Sequence, residues 1–503
     1  MNTSILRNSV EPVNISSRYR SFKVKQKWGS TTKKTAAKLL ALEHFDFHYK
    51  PVFKRQWPSI RLGLLCDQKY CALLNNYSAT DWMRQKLENS GAFDMFDRIR
   101  HKMILDEVKL SKQQSGASVI SNSDTISRSD CISTGQDSDQ APDTAEPGDV
   151  EDYKDLRDEG GLFTFVKPKI VDRSSIDDYL PQSGRVGGHT PGQEVEFLGA
   201  SSGATICPEV EILPTDYKLV IPDMLSAMMF PPGDITNFAQ SPSDSSGVVG
   251  YYLMDAASLF PVVCLGLEER DKVLDLCAAP GGKTLAILQT LYPSKILCND
   301  NDLSRVNSIK RMLDVYLPPK HAVRKTITLS QSDGNELKRL SSQFDKVLVD
   351  VPCTTDRYSL NNDDDKTNIF RRSRMKERLE LPEKQIQLLQ VGLNAVRPGG
   401  CVIYSTCSLS PVQNDAVVET AIRRYNRARN SKETTNETSD RFDPSHSNEN
   451  YKVAVRKLRS AALAFRFSGL FRFSNTCKYG QLIVPYVLNN FGPMYVSRIE
   501  KMG

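Results

Sequence analysis

The sequence predicts an α/β fold with a doubly wound, mostly parallel sheet, and three observations support this prediction. Apolar runs with β propensity alternate with helix-forming stretches from residue 251 onward. The run VLDLC at 273–277 ends in a tight turn, AAPGG, that opens directly into a helix. Two last β-rich runs within 480–499 predict a C-terminal antiparallel hairpin beside the parallel strands.

The elements of this domain follow one another in a regular order. The sequence predicts a helix that begins at residue 251 and a first strand that begins at 273. Later helices are expected at 284–291, 303–316, 377–396 and 412–424, and later strands at 295–300, 326–332, 344–351 and 401–405.

Length and composition indicate a globular protein of two or three domains. The chain has 503 residues, of which 39% are hydrophobic and 25% are charged. Its net charge of +6 is compatible with a polyanionic partner. No apolar run is long enough to predict a membrane span. The 11 cysteines include no C-x-x-C pair, so we expect no metal site, and a reducing compartment suits them.

Residues 1–40 carry nine lysines and arginines against a single acid, Glu11, with many serines and threonines between them. Arg- and Ser-rich N-termini with few acids are typical of organelle transit peptides. The segment therefore predicts import into the mitochondrial matrix. The alternative is a basic arm that contacts nucleic acid.

Residues 41–110 predict a small α-rich extension. Within it, 57–61 favours an extended segment, whereas 69–74 and 82–96 favour helices. Aromatic and basic residues interleave between 45 and 57, a pattern that fits either base stacking or the inward packing of a helical cap.

Three further segments have few apolar residues or an irregular pattern. Ser, Asp, Thr and Gln dominate 111–160, which predicts a disordered insert. Residues 161–250 predict an irregular connection, and the polar stretch 426–450 predicts an inserted loop.

The turn after the first strand is a candidate site for a nucleotide-type cofactor. Its glycines let a ligand approach main-chain N–H groups at the positive end of a helix dipole. A phosphate-binding loop, G-x-x-x-x-G-K-[ST], would require glycine at position 277, where Cys277 stands. The dinucleotide fingerprint G-x-G-x-x-G is absent as well.

In a doubly wound sheet, ligands bind beyond the carboxyl ends of the strands. Asp300 ends the second strand and is the predicted acid for ribose hydroxyls, with Asp302 as the alternative. Arg305 would steady the cofactor, and Asp333 and Gly334 would hold an adenine. A solvated arginine and a plain Asp-Gly turn are the competing interpretations.

Three sequence strings carry a family resemblance: VLDLCAAPGGKT at 273–284, DVPCTTDR at 350–357 and YSTCSLSP at 404–411. Together they resemble the Sun-domain RNA cytosine-5 methyltransferases over roughly 251–503. The resemblance implies a Rossmann-like class I methyltransferase sheet with S-adenosyl-L-methionine as its cofactor. The implied cofactor contacts are Cys277, Ala278, Pro280, Gly281, Gly282, Lys283, Asp300, Arg305, Asp333, Gly334 and Asp350.

The same resemblance implies the roles of three residues. The C5 carbon of cytosine becomes nucleophilic only after a thiolate adds to C6, and the family's Thr-Cys cysteine, here Cys407, makes that attack. The Pro-Cys cysteine, here Cys353, helps to release the product, and Asp350 hydrogen-bonds the cytosine. DNA cytosine-5 methyltransferases attack with a single Pro-Cys cysteine instead.

Many family members have Pro-Cys-Ser where this chain has Pro-Cys-Thr-Thr-Asp-Arg. With YYLMDAASL upstream and NNFGPMY near the end, this form resembles the mitochondrial ribosomal-RNA branch. That likeness implies 5-methylcytosine in small-subunit ribosomal RNA, work on the mitochondrial ribosomal subunit, and a helper similar to mitochondrial transcription-termination factors. The alternatives are a non-catalytic assembly scaffold and a P-loop-like NTPase.

Overall fold

The computed structural model describes residues 36–105, 210–362, 367–436 and 452–503. In these ranges the chain forms a nine-stranded sheet, a four-stranded sheet and the helices that pack against them. No helix there combines the length and the apolarity that crossing a bilayer requires. Most of the predicted transit peptide, the insert at 111–160 and much of the connection at 161–250 lie outside the described residues.

The elements are numbered in chain order. The strands are β1 (Cys71–Leu74), β2 (Phe93–Asp94), β3 (Ala227–Met229), β4 (Tyr251–Met254), β5 (Lys272–Asp275), β6 (Lys295–Asp300), β7 (Ile327–Gln331), β8 (Phe344–Asp350), β9 (Val396–Thr406), β10 (Val453–Arg456), β11 (Phe473–Ser474), β12 (Gln481–Ile483) and β13 (Met494–Lys501). The helices are α1 (Ala37–Phe53), α2 (Trp57–Leu65), α3 (Thr80–Asn89), α4 (95–105), α5 (Phe260–Cys264), α6 (Gly282–Gln289), α7 (Leu303–Tyr316), α8 (Asp356–Asn361), α9 (Met375–Ala395), α10 (Asp415–Asn436) and α11 (Arg459–Phe467).

The nine-stranded sheet confirms the predicted doubly wound α/β class. Its strand order is β11-β12-β13-β9-β8-β5-β6-β7, and β10 also pairs with β13. Strands β5 to β9 pair in parallel, whereas β13 runs antiparallel to β9 and β12, which confirms the C-terminal hairpin. The chain order reverses between β5 and β8, and ligands bind at such a switch point.

Helices cover both faces of this sheet because successive side chains of a strand point to opposite faces. Along β9, Ile403 joins the core on the side of α5, α6 and α7, whereas Val402 and Tyr404 join the core under α1, α9 and α10. All three side chains are fully buried. The two cores hold the carboxyl ends of β5, β8 and β9 side by side.

The four-stranded sheet has the order β2-β3-β1-β4, and all of its pairings are antiparallel. It joins the N-terminal extension to the residues just before the main sheet, since β1 lies between β3 and β4. Asn75, directly after β1, connects the two sheets. Its side-chain amide donates to the carbonyls of Val249 and Tyr316, both at 2.8 Å, and its oxygen accepts from Gln289.

One predicted extended segment is a helix. Residues 57–61 begin α2, so the prediction of an extended chain was wrong. Pro58 suits the first turn of a helix, where its missing N–H has no partner to lose. Trp57, Ile60 and Leu64 recur at helical spacing and are buried on one face, which explains why the segment coils.

Two predicted helices are strands. The apolar runs that begin at Cys71 and Tyr251 pair with each other as β1 and β4. A short apolar run is compatible with a helix or with a strand, because its sequence does not show whether its backbone bonds within the run or to a distant strand. Here the pairing of the two runs makes both of them strands. Asp255 then caps the short 3-10 helix Ala256–Leu259 by accepting from the N–H of Ala257.

Two helix boundaries also differ from the prediction. The helix expected at 82–96 ends at Asn89, because Gly91 adopts a φ of +90° and the chain turns into β2. In contrast, α10 continues to Asn436, so the prediction of a loop was wrong for residues 426–436. The remainder of that loop lies outside the described residues.

Candidate active site

The turn after β5 leaves the first turn of α6 open to a ligand. Gly281 is the N-cap residue and has a φ of +114°, a left-handed conformation that favours glycine. A Cβ at Gly281 would collide with Met312, and a Cβ at Gly282 would lie 3.2 Å from the ring of Tyr252. Since Gly281 has no capping side chain, the first N–H groups of α6 stay available to a ligand.

The predicted acid at the end of β6 is buried against this turn. Asp300 is 4% exposed, and its Oδ2 lies 3.3 Å from the main-chain nitrogen of Ala279 and 3.3 Å from Nε of Arg305. Arg305 also donates to the carbonyl oxygen of Ala279 at 2.8 Å. The structure therefore brings Asp300, Arg305 and the glycine turn together, as the sequence predicts.

Asp302, the alternative ribose acid, has another task. It is exposed and is the N-cap residue of α7, where its Oδ1 accepts from the N–H of Arg305 at 3.0 Å. Such a cap satisfies one of the free N–H groups at a helix start. The geometry therefore favours Asp300 over Asp302 as the cofactor acid.

The turn after β7 contributes further polar groups. Asp333 is exposed and caps the 3-10 helix Gly334–Arg339, while a Cβ at Gly334 would lie 2.5 Å from Leu388. Among the described residues, Asn335 has a buried Oδ1 without a hydrogen-bond partner. An acceptor in that state suits an amino group such as that of adenine. Asn335 was not predicted from the sequence, although this residue directly follows the Asp-Gly turn.

A salt bridge spans the switch point between α6 and β8. Nζ of Lys283 lies 2.8 Å from Oδ2 of Asp350, whose Oδ1 accepts from Oγ of Ser405 at 2.6 Å. Burial would lower the pKa of Lys283, but the Asp350 carboxylate outweighs it and raises that pKa above its usual value. Lys283, predicted only as a cofactor contact, is thus a fixed positive charge, and Ser405 was not predicted at all.

The two predicted cysteines meet at the same place. Sγ of Cys353, after β8, and Sγ of Cys407, after β9, are free thiols 3.2 Å apart. Cys353 is 7% exposed, whereas Cys407 is more accessible. The hydrogen bond with Cys353, together with burial, raises the pKa of Cys407, and the charge of Lys283 opposes this shift. Moving the Cys353 thiol away would therefore favour the reactive thiolate.

The remaining predicted cofactor residues form the wall of the turn. Burial raises the pKa of the Cys277 thiol, which packs against core residues of the sheet. The N–H of Ala278 donates to the carbonyl of Asn299 at 2.8 Å, which fixes the turn to β6, and Pro280 is exposed. Cys277 therefore acts as an apolar contact and not as a nucleophile.

Asp275 is a buried acid that was not predicted from the sequence, although it lies inside the VLDLC run. It is 1% exposed, and its Oδ2 accepts from Oγ1 of Thr284 at 2.7 Å. Burial raises the pKa of Asp275 to about 7. The hydrogen bond between Thr284 and Asp275 connects the first turn of α6 to the end of β5.

Known proteins resemble the chain over nearly its whole length. A family model described as 16S rRNA methyltransferase RsmB/F matches residues 262–455. The 5-cytosine rRNA methyltransferase nsun-4 of Caenorhabditis elegans is 34% identical over 491 residues, which cover 96% of each chain. The 5-cytosine rRNA methyltransferase NSUN4 of Xenopus laevis is 33% identical over 485 residues, which cover 96% of this chain and 95% of its own. The chain belongs to the RsmB/F family of RNA cytosine-5 methyltransferases.

Membership of this family confirms two sequence predictions. The protein is an RNA cytosine-5 methyltransferase, and its cofactor is S-adenosylmethionine. The P-loop-like NTPase is thereby rejected. A solved methyltransferase homologue of Pyrococcus horikoshii covers 93% of this chain and 98% of its own at 16% identity, with a TM-score of 0.44.

The residues at the switch point fit S-adenosylmethionine. The uncapped N–H groups of α6 offer donors at the positive end of a helix, and Asp300 offers a carboxylate for ribose hydroxyls. The unpartnered Oδ1 of Asn335 offers an acceptor for the adenine amino group.

Exchanging each acid for its amide separates the two candidates for the ribose contact. We expect Asp300→Asn to weaken S-adenosylmethionine binding about tenfold or more, because hydrogen bonds to a charged group are among the stronger ones. Asp302→Asn is the matched control, since asparagine caps a helix as well as aspartate does, and should leave the affinity unchanged. Titration calorimetry measures both. Weaker binding from Asp302→Asn alone would exchange the two roles.

Proposed function

We propose that this enzyme forms 5-methylcytosine in the small-subunit ribosomal RNA of mitochondria, with Cys407 as the attacking nucleophile and Cys353 as the residue that aids release. The observation that carries this chemistry is the contact between the two sulfur atoms, 3.2 Å apart, beside the salt bridge of Lys283 and Asp350. A mechanism with a single cysteine has no use for a second thiol at that distance.

The reaction begins with an attack on the base. The Cys407 thiolate forms a bond from sulfur to C6 of the cytosine, and the Lys283 ammonium opposes the hydrogen bond to Cys353 and the burial that raise the pKa of this thiol. The electrons of the C5–C6 double bond move through C4 to N3, which takes up a proton from solvent. Asp350 accepts hydrogen bonds from the base amine and from the protonated N3. C5 has then become an enamine carbon, for which bound S-adenosylmethionine would supply the methyl group, with S-adenosylhomocysteine as the leaving group.

The second half of the reaction must undo the covalent bond. Water takes the C5 proton, whose electron pair restores the C5–C6 double bond as the bond from C6 to the Cys407 sulfur breaks, and the proton on N3 returns to solvent. Cys353 suits this step because its thiol lies 3.2 Å from the sulfur that must depart. Its lower exposure places it behind Cys407, which is the more accessible thiol for an incoming base.

Relatives that cover the whole chain support ribosomal RNA as the substrate. Those of Caenorhabditis elegans and Xenopus laevis are named 5-cytosine rRNA methyltransferases. A mitochondrial tRNA (cytosine(34)-C(5))-methyltransferase of Danio rerio is 38% identical but covers only 50% of this chain. The matching family model is described for 16S rRNA, which belongs to the small ribosomal subunit.

The proposed site of action is the mitochondrial matrix, on the mitochondrial ribosomal subunit. The basic, acid-poor composition of residues 1–40 supports import. The likeness to the mitochondrial branch supports a helper similar to mitochondrial transcription-termination factors. In the ranges that the structure describes, no RNA-binding module stands apart from the two sheets, so such a helper would extend the RNA contact.

Alanine at each cysteine separates attack from release. Cys407→Ala should give neither methylated product nor a protein–RNA adduct, because no nucleophile remains. Cys353→Ala should methylate and then stall, so that the enzyme runs as a retarded band with its RNA in a denaturing gel. Cys401→Ala is the control, since Cys401 is buried in β9 and bonds to the carbonyl of Leu265. An adduct from Cys407→Ala would instead assign the attack to Cys353.

Bisulfite sequencing tests the RNA substrate. Mitochondria that lack this protein should lose a 5-methylcytosine from small-subunit ribosomal RNA, and the wild-type chain but not Cys407→Ala should restore it. Loss of methylation from a transfer RNA only would contradict the proposal. Ribosome assembly that Cys407→Ala restores without methylation would show that the scaffold alternative operates beside catalysis.

Deleting residues 1–35 tests the location, because the deletion leaves α1 intact. The truncated protein should stay in the cytosol, and a fluorescent reporter fused to residues 1–40 should enter mitochondria, as fractionation and microscopy can measure. Import of the truncated form would favour the alternative of a basic RNA-binding arm.

A further inference from the structure

The residues that follow Cys353 are buried but have no part in the chemistry above. Asp356 is 0% exposed, Thr354 is 3% exposed and Arg357 is 7% exposed. A buried carboxyl or guanidinium group destabilises a fold unless other groups satisfy its hydrogen bonds. The partners of these side chains therefore indicate what they do.

The carboxylate of Asp356 holds the loops of both cysteines. It accepts from Oγ1 of Thr354 at 2.5 Å, and Thr354 directly follows Cys353. It also accepts from the main-chain N–H of Leu409 at 2.7 Å, two residues beyond Cys407. One side chain therefore fixes the chain downstream of each sulfur atom.

A third donor to this carboxylate comes from the N-terminal extension. Oη of Tyr49, on α1, donates to Oδ2 of Asp356 at 2.9 Å, across 307 residues of sequence. Tyr49 is 2% exposed, and its ring contacts those of Phe45 and Trp57 with centroids 5.0 and 5.7 Å apart. The hydroxyl group therefore has little freedom to move unless α1 moves.

Arg357, the next residue of α8, connects the start of this helix to the end of α2. Its Nη1 donates to the carbonyl of Gly63 at 2.9 Å and to that of Cys66 at 3.3 Å, and its Nε donates to the carbonyl of Gly492 at 2.7 Å. Carbonyl groups at a helix C-terminus carry partial negative charge, which suits a guanidinium group. Asp356 and Arg357, the first two residues of α8, thus bind both N-terminal helices.

We propose that the N-terminal segment 37–66 is a positioning element of the active site, which sets the geometry of Cys353 and Cys407 through Tyr49, Asp356 and Arg357. Two sulfur atoms that act in turn on one base must be held closely, since small misplacements of reacting groups slow a reaction strongly. The catalytic consequence rests on the proposed function, whereas the thiol geometry does not. Tyr49 and Asp356 act through the cysteines and are positioning residues.

Tyr49→Phe tests this inference with the smallest change, because it removes one hydroxyl group and keeps the packed ring. In the full-length enzyme we expect the single-turnover rate of methylation to fall about tenfold, the effect of one lost bond to a charged group. The rate at which dibromobimane cross-links Cys353 to Cys407 should fall with it. Mass spectrometry identifies the linked peptides among the other cysteines. The affinity for S-adenosylmethionine should not change.

Tyr217→Phe is the matched control. Its hydroxyl group is also buried and donates to the carbonyl of Val263 at 3.1 Å, in the core on the other face of the sheet. It should lower the unfolding midpoint to a similar extent and leave both rates unchanged. Thr354→Val removes the hydroxyl donor to the other carboxylate oxygen, Oδ1, and should lower both rates as Tyr49→Phe does.

The outcomes are distinguishable. If Tyr49→Phe lowers only the unfolding midpoint, as Tyr217→Phe does, while methylation and cross-linking keep their rates, the positioning role is wrong. If cross-linking slows but Cys407→Ala still methylates RNA, the proposed function is wrong and the positioning role stands. If both rates fall in Tyr49→Phe and Thr354→Val, the inference is supported.

Discussion

The parallel pairing of β8 with both β5 and β9 is the constraint on which the active site depends. Asp350 and Ser405 are direct register partners, which explains why their side chains bond to each other. Cys353 and Cys407 lie a few residues beyond these positions, on the loops that leave the two strands. A slip of β9 by one residue would turn Ser405 to the other face of the sheet and separate the sulfur atoms.

Acidic and basic side chains lie close together at this edge of the sheet. Asp275, Asp300 and Asp350 gather beneath the glycine turn, and only Lys283 and Arg305 oppose them at close range among the described residues. Burial raises the pKa of Asp275 to about 7, so this acid is only partly charged at neutral pH. The other two acids are each paired with a base, Asp300 with Arg305 and Asp350 with Lys283.

The sequence predicts those parts of the fold and site that local signals define. Strand β6 and helix α7 have the predicted bounds, since a β-rich run ends in acids and Asp302 marks the helix start. The two cysteines and Asp300 were likewise predicted, because each follows or ends a predicted strand, and the carboxyl ends of parallel strands meet at one edge of the sheet. Strands β1 and β4 were not, since four apolar residues contain no information about a partner elsewhere in the chain.

The same limit explains the missed polar residues. Tyr49 and Asp356 are 307 residues apart, so no local pattern links them, and Asn335 matters only because the fold buries its oxygen without a partner. Ser405 lies inside a β-rich run, and nothing in its local sequence marks it as a residue of the site. Its bond to Asp350 exists only once two strands pair in register. Such contacts become visible only with the tertiary structure.

The chain order of the contacts has a consequence for biosynthesis. Among the described elements, helices α1 and α2 leave the ribosome first, yet their partners Asp356 and Arg357 follow 307 and 294 residues later. Strand β1 likewise cannot pair until β3 and β4 have been synthesised. The entropic cost of closing the intervening loop rises only slowly with its length. The aromatic face of α1 and α2 is therefore made early among the described elements and is among the last to be covered, so it needs protection from aggregation throughout synthesis.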